Sequence, residues 1–143
     1  MTCTFFGHRF VPKEIEPILR ATLIDLIENH DVKQFYVGNH GGFDYMVIEV
    51  LKELSNHYPI VYLVVLAYVP TAKKNYYDDE YEKTVLCDGI ESVPPRFAII
   101  YRNKWMIKRS NYVVTYVKNH IASKAAQFKA LAEKCNKVVI NIA

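Results

Sequence analysis

Residues 60–67 read Ile60-Val61-Tyr62-Leu63-Val64-Val65-Leu66-Ala67, and this stretch decides the fold class because nearly every position is apolar. A strand with one solvated face alternates apolar and polar residues, whereas a strand that is covered on both faces does not. Strands of the second kind are typical of parallel sheets with helices packed on either side. The whole apolar run is about ten residues long, and a membrane span needs roughly 20. We therefore predict a buried strand here and no association with a membrane.

Outward from this run, strand-like and helix-like segments alternate along the chain. Residues 2–6, 34–38, 112–117 and 138–142 are the other β-prone runs. Residues 13–29, 43–54 and 125–135 carry apolar side chains at helical spacing, and a further helix begins at Pro94 and Pro95 and runs to about residue 108. The alternation predicts an α/β fold, with an open parallel sheet of about five strands and helices on both faces.

One segment, at about residues 70–94, breaks this alternation and is predicted to be an irregular excursion. Excursions of this length inside a compact domain are often functional. The acidic residues 78, 79, 80 and 82 could in principle hold a divalent cation. Because no histidine lies nearby and the spacing is not that of an EF-hand, we interpret them as a solvated acidic loop and predict no metal site.

Length and composition exclude several classes of protein. The 143 residues suit a single domain that spans residues 1–143, and 51% hydrophobic with 23% charged residues is a globular composition. A net charge of +3 is too small to indicate nucleic acid on its own. The N-terminus has no signal-peptide pattern, and the three cysteines are far apart and form no CxxC pair. We therefore expect reduced thiols, a cytoplasmic location and no cofactor.

Three loops follow predicted strands, and in a parallel α/β sheet ligands bind where the strands end. Their candidate ligand-binding residues are Gly7, His8, Arg9, Gly38, Asn39, Gly41, Gly42, Asp44, His120 and Ser123. Glycines let backbone N–H groups approach a phosphate, and an arginine can grip it with two hydrogen bonds. The alternative is that the glycines only make turns and that His8 is structural. Asp44 has two interpretations as well, since it could cap the second helix or bind a ribose hydroxyl.

The helix before the fourth strand adds candidate residues to this edge. Two different faces of this helix are candidates for burial. One carries Arg102, Asn103 and Met106, and the other carries Phe97, Ile100, Lys104 and Ile107. An arginine on a helix beside the edge of a sheet suits an anionic ligand, although solvated arginines are commoner.

Several segments together resemble the SLOG superfamily, and most closely its small stand-alone bacterial proteins related to YpsA. They are residues 3–9 (CTFFGHR), 35–39 (FYVGN), 42–44 (GFD), 94–97 (PPRF), 102–106 (RNKWM) and 111–114 (NYVV). The likeness covers nearly the whole chain, and its GHR and RNxWM segments are specific in combination. It implies a Rossmann-like three-layer sandwich with the strand order 3-2-1-4-5. Because members often form dimers, it also points to a homodimer.

The resemblance further implies a site for a nucleotide or a nucleotide-derived ligand. By position, Gly7 to Arg9 form one wall of that site and Gly38, Asn39 and Asp44 form another. Arg102 and Met106 match the ligand-facing helix of the family. The phosphoribohydrolases of the superfamily carry a PGGxGTxxE motif after the fourth strand, but residues 119–124 read NHIASK here. Both glycines and the catalytic glutamate are missing, so the expectation leans away from an enzyme.

Three functions follow from these observations. The first is binding of a nucleotide-like small molecule, as a sensor or sequestering module. The second is hydrolysis of an N-glycosidic bond, which needs a replacement acid such as Asp44, Glu49 or one of residues 78–82. The third is binding of single-stranded nucleic acid, for which Trp105 offers a stacking face within a basic tract formed by Arg102, Lys104, Lys108 and Arg109.

Overall fold

The computed structural model describes residues 1–68, 83–118 and 122–143. Six strands form one sheet, and every neighbouring pair in it is parallel. The strands are β1 (Thr2–Gly7), β2 (Gln34–Val37), β3 (Val61–Leu66), β4 (Thr84–Leu86), β5 (Tyr112–Tyr116) and β6 (Val138–Asn141). The helices are α1 (Ile15–Asn29), α2 (Gly42–Leu54), α3 (Ala98–Lys108) and α4 (Lys124–Lys134), and two short 3₁₀ helices cover Ile90–Ser92 and Pro95–Phe97.

The strand order is β4-β3-β2-β1-β5-β6. The five predicted strands are β3, β2, β1, β5 and β6, so their expected order is confirmed. The predicted count of five is wrong by one, because β4 lies at the edge of the sheet inside the stretch that was expected to be irregular. It is only three residues long and pairs with β3 from Thr84 opposite Val64 to Leu86 opposite Leu66. A strand that short shows no recognisable period in the sequence.

Helices cover the sheet on both faces, as the unbroken apolar run predicted. Alternate strand residues point to opposite faces, so Phe5 packs in the core under α1 and α2 and Phe6 packs in the core under α3 and α4. Leu19, Leu23 and Leu51 fill the first core, and Met106, Ile107 and Phe128 fill the second. No helix in the described ranges has the length and apolar character that crossing a bilayer requires.

The topology creates one crevice at the carboxyl ends of the strands. From β1 the chain passes through α1 to β2 on one side, whereas the other neighbour of β1 is β5, which comes much later in the chain. Loops that follow neighbouring strands on either side of such a switch point diverge and leave a gap between them. The loop after β1, residues 117–118 after β5 and the beginnings of α2 and α4 therefore surround this gap.

Candidate functional site

A cleft lies at this switch point, and we call it the edge cleft. Its volume is about 310 Å³. It is lined by Gly7, His8, Arg9, His40, Gly41, Ser123, Lys124 and Ala125. A narrower cavity of about 120 Å³, the inner recess, shares Gly7, His40, Lys124 and Ala125 with it and reaches down to Asp44, Arg102, Asn103 and Met106. The structure thus brings together residues from all three predicted loops and from α3.

His8 fixes the loop after β1 to the segment after β5. Its Nε2 accepts a hydrogen bond from the backbone N–H of Lys118 at 2.9 Å, and its Nδ1 lies 3.4 Å from the Ser123 hydroxyl. Because Nε2 is an acceptor, the proton of the neutral ring is assigned to Nδ1, which faces Ser123. The ring also meets the ring of Tyr116 edge-on at 5.7 Å. These contacts favour the structural interpretation of His8 over a role as a ligand-binding group.

Ser123 determines where α4 begins. Its side chain accepts a hydrogen bond from the N–H of Ala126 at 3.1 Å, which makes Ser123 the N-cap of α4. The cap places the exposed Lys124 at the first position of the helix, where it lines the edge cleft together with Arg9. His120, the other candidate after β5, lies outside the described residues.

The Gly41-Gly42 pair holds the start of α2 against the loop after β1. The N–H of Gly42 donates to the carbonyl oxygen of Arg9 at 2.7 Å, and a Cβ at position 42 would lie 2.5 Å from that oxygen. Gly41 has a φ of 92°, which a residue with a side chain adopts only under strain. The N–H of Gly42 is thus used within the protein. The pair therefore acts as turn and packing residues here.

Arg102 is only 2% exposed and lies at the centre of a buried polar network. Its Nε donates to Oδ1 of Asn103 at 2.8 Å, and its Nη1 donates to Oδ1 of Asn39 at 3.3 Å and to the carbonyl oxygen of Val65 at 3.1 Å. Burial lowers the pKa of Arg102, and the nearby Asp44 opposes that effect. Arg102 therefore links β3, the loop after β2 and α3 beneath the inner recess.

Asp44 is not the N-cap of α2, because Gly41 occupies that position and Asp44 lies within the first turn. Its Oδ2 reaches back to accept a hydrogen bond from the N–H of His40 at 3.0 Å. Burial raises its pKa from 3.8 to about 6, although the charge of Arg102 and the bond from His40 act in the opposite direction. A Cβ at Gly38 would lie 2.8 Å from Oδ2 of Asp44 and 3.0 Å from Nη1 of Arg102. Glycine at position 38 leaves the space that both side chains border.

The helix α3 buries the face that carries Arg102, Asn103 and Met106. Met106 accepts a hydrogen bond from the Thr4 hydroxyl at 3.5 Å and is 1% exposed. The basic tract of α3 differs from the expectation in one residue, because Arg102 is buried in the network. Lys104, Lys108 and Arg109 are exposed.

Trp105 does not offer the open stacking face that its neighbours in sequence suggested. Its ring packs edge-on against Tyr36 with 5.2 Å between the ring centroids. The guanidinium of Arg109 lies 4.1 Å from the centroid of the indole ring. Trp105 and Arg109, which were expected to face a nucleic acid, thus contact each other.

Two of the acids considered for catalysis, Asp44 and Glu49, are described by the structure, and of these two Asp44 lines the inner recess. Asp44 is the one acid among the described residues that line the edge cleft and the inner recess. Glu49 is exposed on α2 and lines neither cavity, and residues 78–82 lie outside the described ranges. Within residues 1–68, 83–118 and 122–143, no three His, Cys, Asp or Glu side chains come together as a metal site would need.

Sequence reasoning missed the exposed aromatic residue beside Arg9. Phe10 is 85% exposed and lines a further cavity on the other side of His8 and Arg9, which we call the outer pocket. Its volume is about 660 Å³, and its other lining residues are Val11, Pro12, Tyr116 and Lys118. The signal in the sequence was an apolar Phe-Val-Pro run directly after a loop arginine.

Comparison with known proteins gives a likeness of fold. No family model matches the chain, and no curated protein matches it. A solved structure of DNA processing protein A from Helicobacter pylori, which was determined to study how that protein binds single-stranded DNA, aligns with a TM-score of 0.64 at 15% sequence identity. The alignment covers 97% of this chain and 63% of the other, so this chain spans less than two thirds of the length of that protein. The Rossmann-like fold class is thereby confirmed.

Proposed function

We propose that the chain binds single-stranded nucleic acid across the edge cleft. The observation that carries this proposal is the distribution of charge at the cleft. The exposed cations Arg9 and Lys124 both line the edge cleft, and the exposed Lys118 lines the outer pocket together with Arg9, while the acid Asp44 is buried in the inner recess. Cations at the rim of an open groove suit the phosphates of a nucleic-acid backbone.

The exposed ring of Phe10 supports a nucleic acid over a simple anion. Single-strand binding sites combine a cationic groove with aromatic side chains on which bases stack. Phe10 directly follows Arg9 and is 85% exposed, so a base can reach its ring while a phosphate contacts the guanidinium. The likeness of fold to a protein that binds single-stranded DNA supports the same proposal.

The proposal is tested by fluorescence anisotropy with labelled single-stranded oligothymidylate over a series of salt concentrations. We expect saturable binding whose log K falls linearly with log salt, by about 0.7 for each phosphate that is neutralised. Arg9→Ala and Lys124→Ala should each weaken binding and lower that slope. The matched control is Lys134→Ala, because Lys134 is an exposed lysine at the opposite end of α4, about 15 Å away along the helix.

Two results would overturn the proposal. One is the absence of salt-dependent binding by the unmodified chain. The other is an equal loss of affinity in Lys124→Ala and Lys134→Ala, which would indicate a diffuse effect of net charge. A duplex of the same sequence should bind more weakly, because its bases are not available for stacking.

The second candidate is a nucleotide-like small molecule held in the edge cleft, within a small YpsA-related member of the SLOG superfamily. It is favoured by the cleft volume of about 310 Å³, since ligand pockets begin at roughly 300 Å³. A thermal-shift screen with AMP, NAD and ADP-ribose tests it. A nucleotide that raises the melting temperature and binds as tightly as an oligonucleotide would favour this candidate over the first.

Hydrolysis of an N-glycosidic bond has less support than either binding function. Asp44 is the one described acid at the cleft, and its Oδ2 is already bonded to the N–H of His40. An acid in that position serves to hold the loop after β2. Release of free base from AMP by the chain, abolished in Asp44→Asn, would restore the enzymatic alternative.

A further inference from the structure

We infer that the outer pocket is a second nucleobase subsite, and that Arg9 binds the phosphodiester between a base in that pocket and a nucleotide in the edge cleft. This inference rests on the proposed binding of single-stranded nucleic acid. It adds that the smallest complete ligand is a dinucleotide, and it assigns Phe10 to recognition of the second base.

The walls of the outer pocket suit a flat apolar ring. Tyr116 forms part of them and is 2% exposed, held between the His8 ring and the Phe43 ring, which is stacked at 6.2 Å. Val11 and Pro12 add apolar surface, and Phe10 contributes an exposed aromatic ring. The fixed position of Tyr116 gives a rigid wall, and the exposed Phe10 can stack on a base from the open side.

The charges around the pocket select an anion. Arg9 and Lys118 line it, and none of its described lining residues is an aspartate or a glutamate. A ligand with a flat apolar body and an attached negative charge fits both features. A nucleobase joined to a phosphodiester has that chemistry, and a neutral aromatic ring would leave the two cations unused.

The placement of Arg9 links this pocket to the edge cleft. Both cavities are lined by His8 and Arg9, so these two residues form the wall that separates them. The Arg9 carbonyl is fixed by the Gly42 N–H at 2.7 Å, and the His8 ring is bonded to the Lys118 N–H at 2.9 Å. The backbone of the wall is thus held from both sides, while the guanidinium itself is exposed. A strand that crosses this wall places one unit in each cavity and a phosphate over Arg9.

The test compares 5′-phosphorylated oligothymidylates of one, two and four nucleotides by competition against a labelled oligothymidylate. In the unmodified chain, we expect the affinity to rise at least tenfold from one nucleotide to two. Phe10→Ala should weaken binding of the dinucleotide by about fivefold to a hundredfold, which is the range for loss of one base–aromatic stack. Binding of the mononucleotide should weaken less than binding of the dinucleotide, because a single nucleotide still has the edge cleft as a site.

Phe97→Ala is the matched control, since Phe97 is another exposed phenylalanine, 48% exposed, and lines neither cavity. It should leave all affinities unchanged. Intact binding without a gain from one nucleotide to two, or a gain that survives in Phe10→Ala, overturns the subsite and leaves the proposed function standing. The absence of any binding overturns both. Displacement by phenylpropionate that depends on Phe10, without any effect of oligonucleotide length, would assign the pocket to an aromatic acid and also overturn the inference.

Discussion

Replacement of Asp44 by asparagine should make the folded chain more stable at neutral pH and leave it nearly unchanged at acidic pH. Asparagine has almost the same shape, and its Oδ1 can still accept the hydrogen bond that the N–H of His40 makes to Asp44 at 3.0 Å. The substitution therefore removes the ionisable group and keeps its contact. Any change in stability then reports the cost of the buried charge.

The magnitude follows from the pKa of Asp44, which burial raises from 3.8 to about 6 in the folded chain. Each pKa unit corresponds to about 1.4 kcal/mol, so the ionised carboxyl costs the folded state about 3 kcal/mol. Because the folded pKa is above the ordinary one, the stabilising contribution is complete below about pH 4 and is lost as the pH rises through about 6. The advantage of Asp44→Asn should accordingly grow from near zero to about 3 kcal/mol across that window.

Urea unfolding followed by circular dichroism at pH 4 and pH 7.5 measures this difference. With a typical slope for a chain of this size, about 3 kcal/mol moves the midpoint by about 1–2 M. Glu49→Gln is the matched control, because it removes an exposed carboxylate from the same helix. The reasoning is refuted if Asp44→Asn changes stability by the same amount at both pH values, or if it is the less stable protein at pH 7.5.

Two further substitutions test other parts of the site, and a thiol titration tests the two cores. Gly42→Ala should lower the melting temperature by about 3–10 °C, because the new Cβ would lie 2.5 Å from the Arg9 carbonyl oxygen and overpacking costs about 1–3 kcal/mol. An unchanged melting temperature in a thermal-shift assay would contradict the close approach. Ser123→Ala should lower the free energy of unfolding, measured with urea, by about 1 kcal/mol because the helix cap is lost, and it should weaken oligothymidylate binding. Ser92→Ala, which removes an exposed serine outside the cleft, should leave that binding intact. Thiol titration of the native chain should modify Cys135 alone, because Cys3 and Cys87 are buried and burial raises the pKa of both thiols. Rapid reaction of a second thiol without denaturant would show that one of the two cores opens readily.

The sequence predicted the layers of the fold because they depend on strong periodic signals. The apolar run that includes Val64 and Val65 is long enough to reveal burial on both faces, and these two residues do fall in different cores. The strand β4 was missed because three residues carry no period, and because its pairing with β3 depends on a long-range contact. A helical pattern also overstates burial at its margin, since Ile18 belongs to the stripe of α1 and is 48% exposed.

The site was harder to predict, because the sequence shows which side chains reach the edge and not which partners they meet there. Arg102 was expected to face a ligand, and it does line the inner recess, but its Nε and Nη1 also donate to Asn103, Asn39 and the Val65 carbonyl. Those acceptors come from three different segments of the chain, so no pattern in the local sequence indicates the whole set. The role of Asp44 depended likewise on whether α2 begins at residue 42 or 44, and boundaries of that kind are set by loop contacts such as the bond from Gly42 to Arg9.

The internal contacts of the edge also explain why its exposed cations are better candidates for binding than its buried groups. Nε and Nη1 of Arg102 and Oδ2 of Asp44 already have partners inside the protein, so a ligand that used those atoms would first have to break bonds such as those to Asn39 or to the His40 N–H. Arg9 and Lys124 face no such cost, because their side chains are exposed while their positions are fixed by the Gly42 bond and the Ser123 cap. A rigid backbone under exposed charges reduces the entropy lost on binding. Affinity at this edge should therefore depend on Arg9 and Lys124, with Arg102 acting through the shape of the recess.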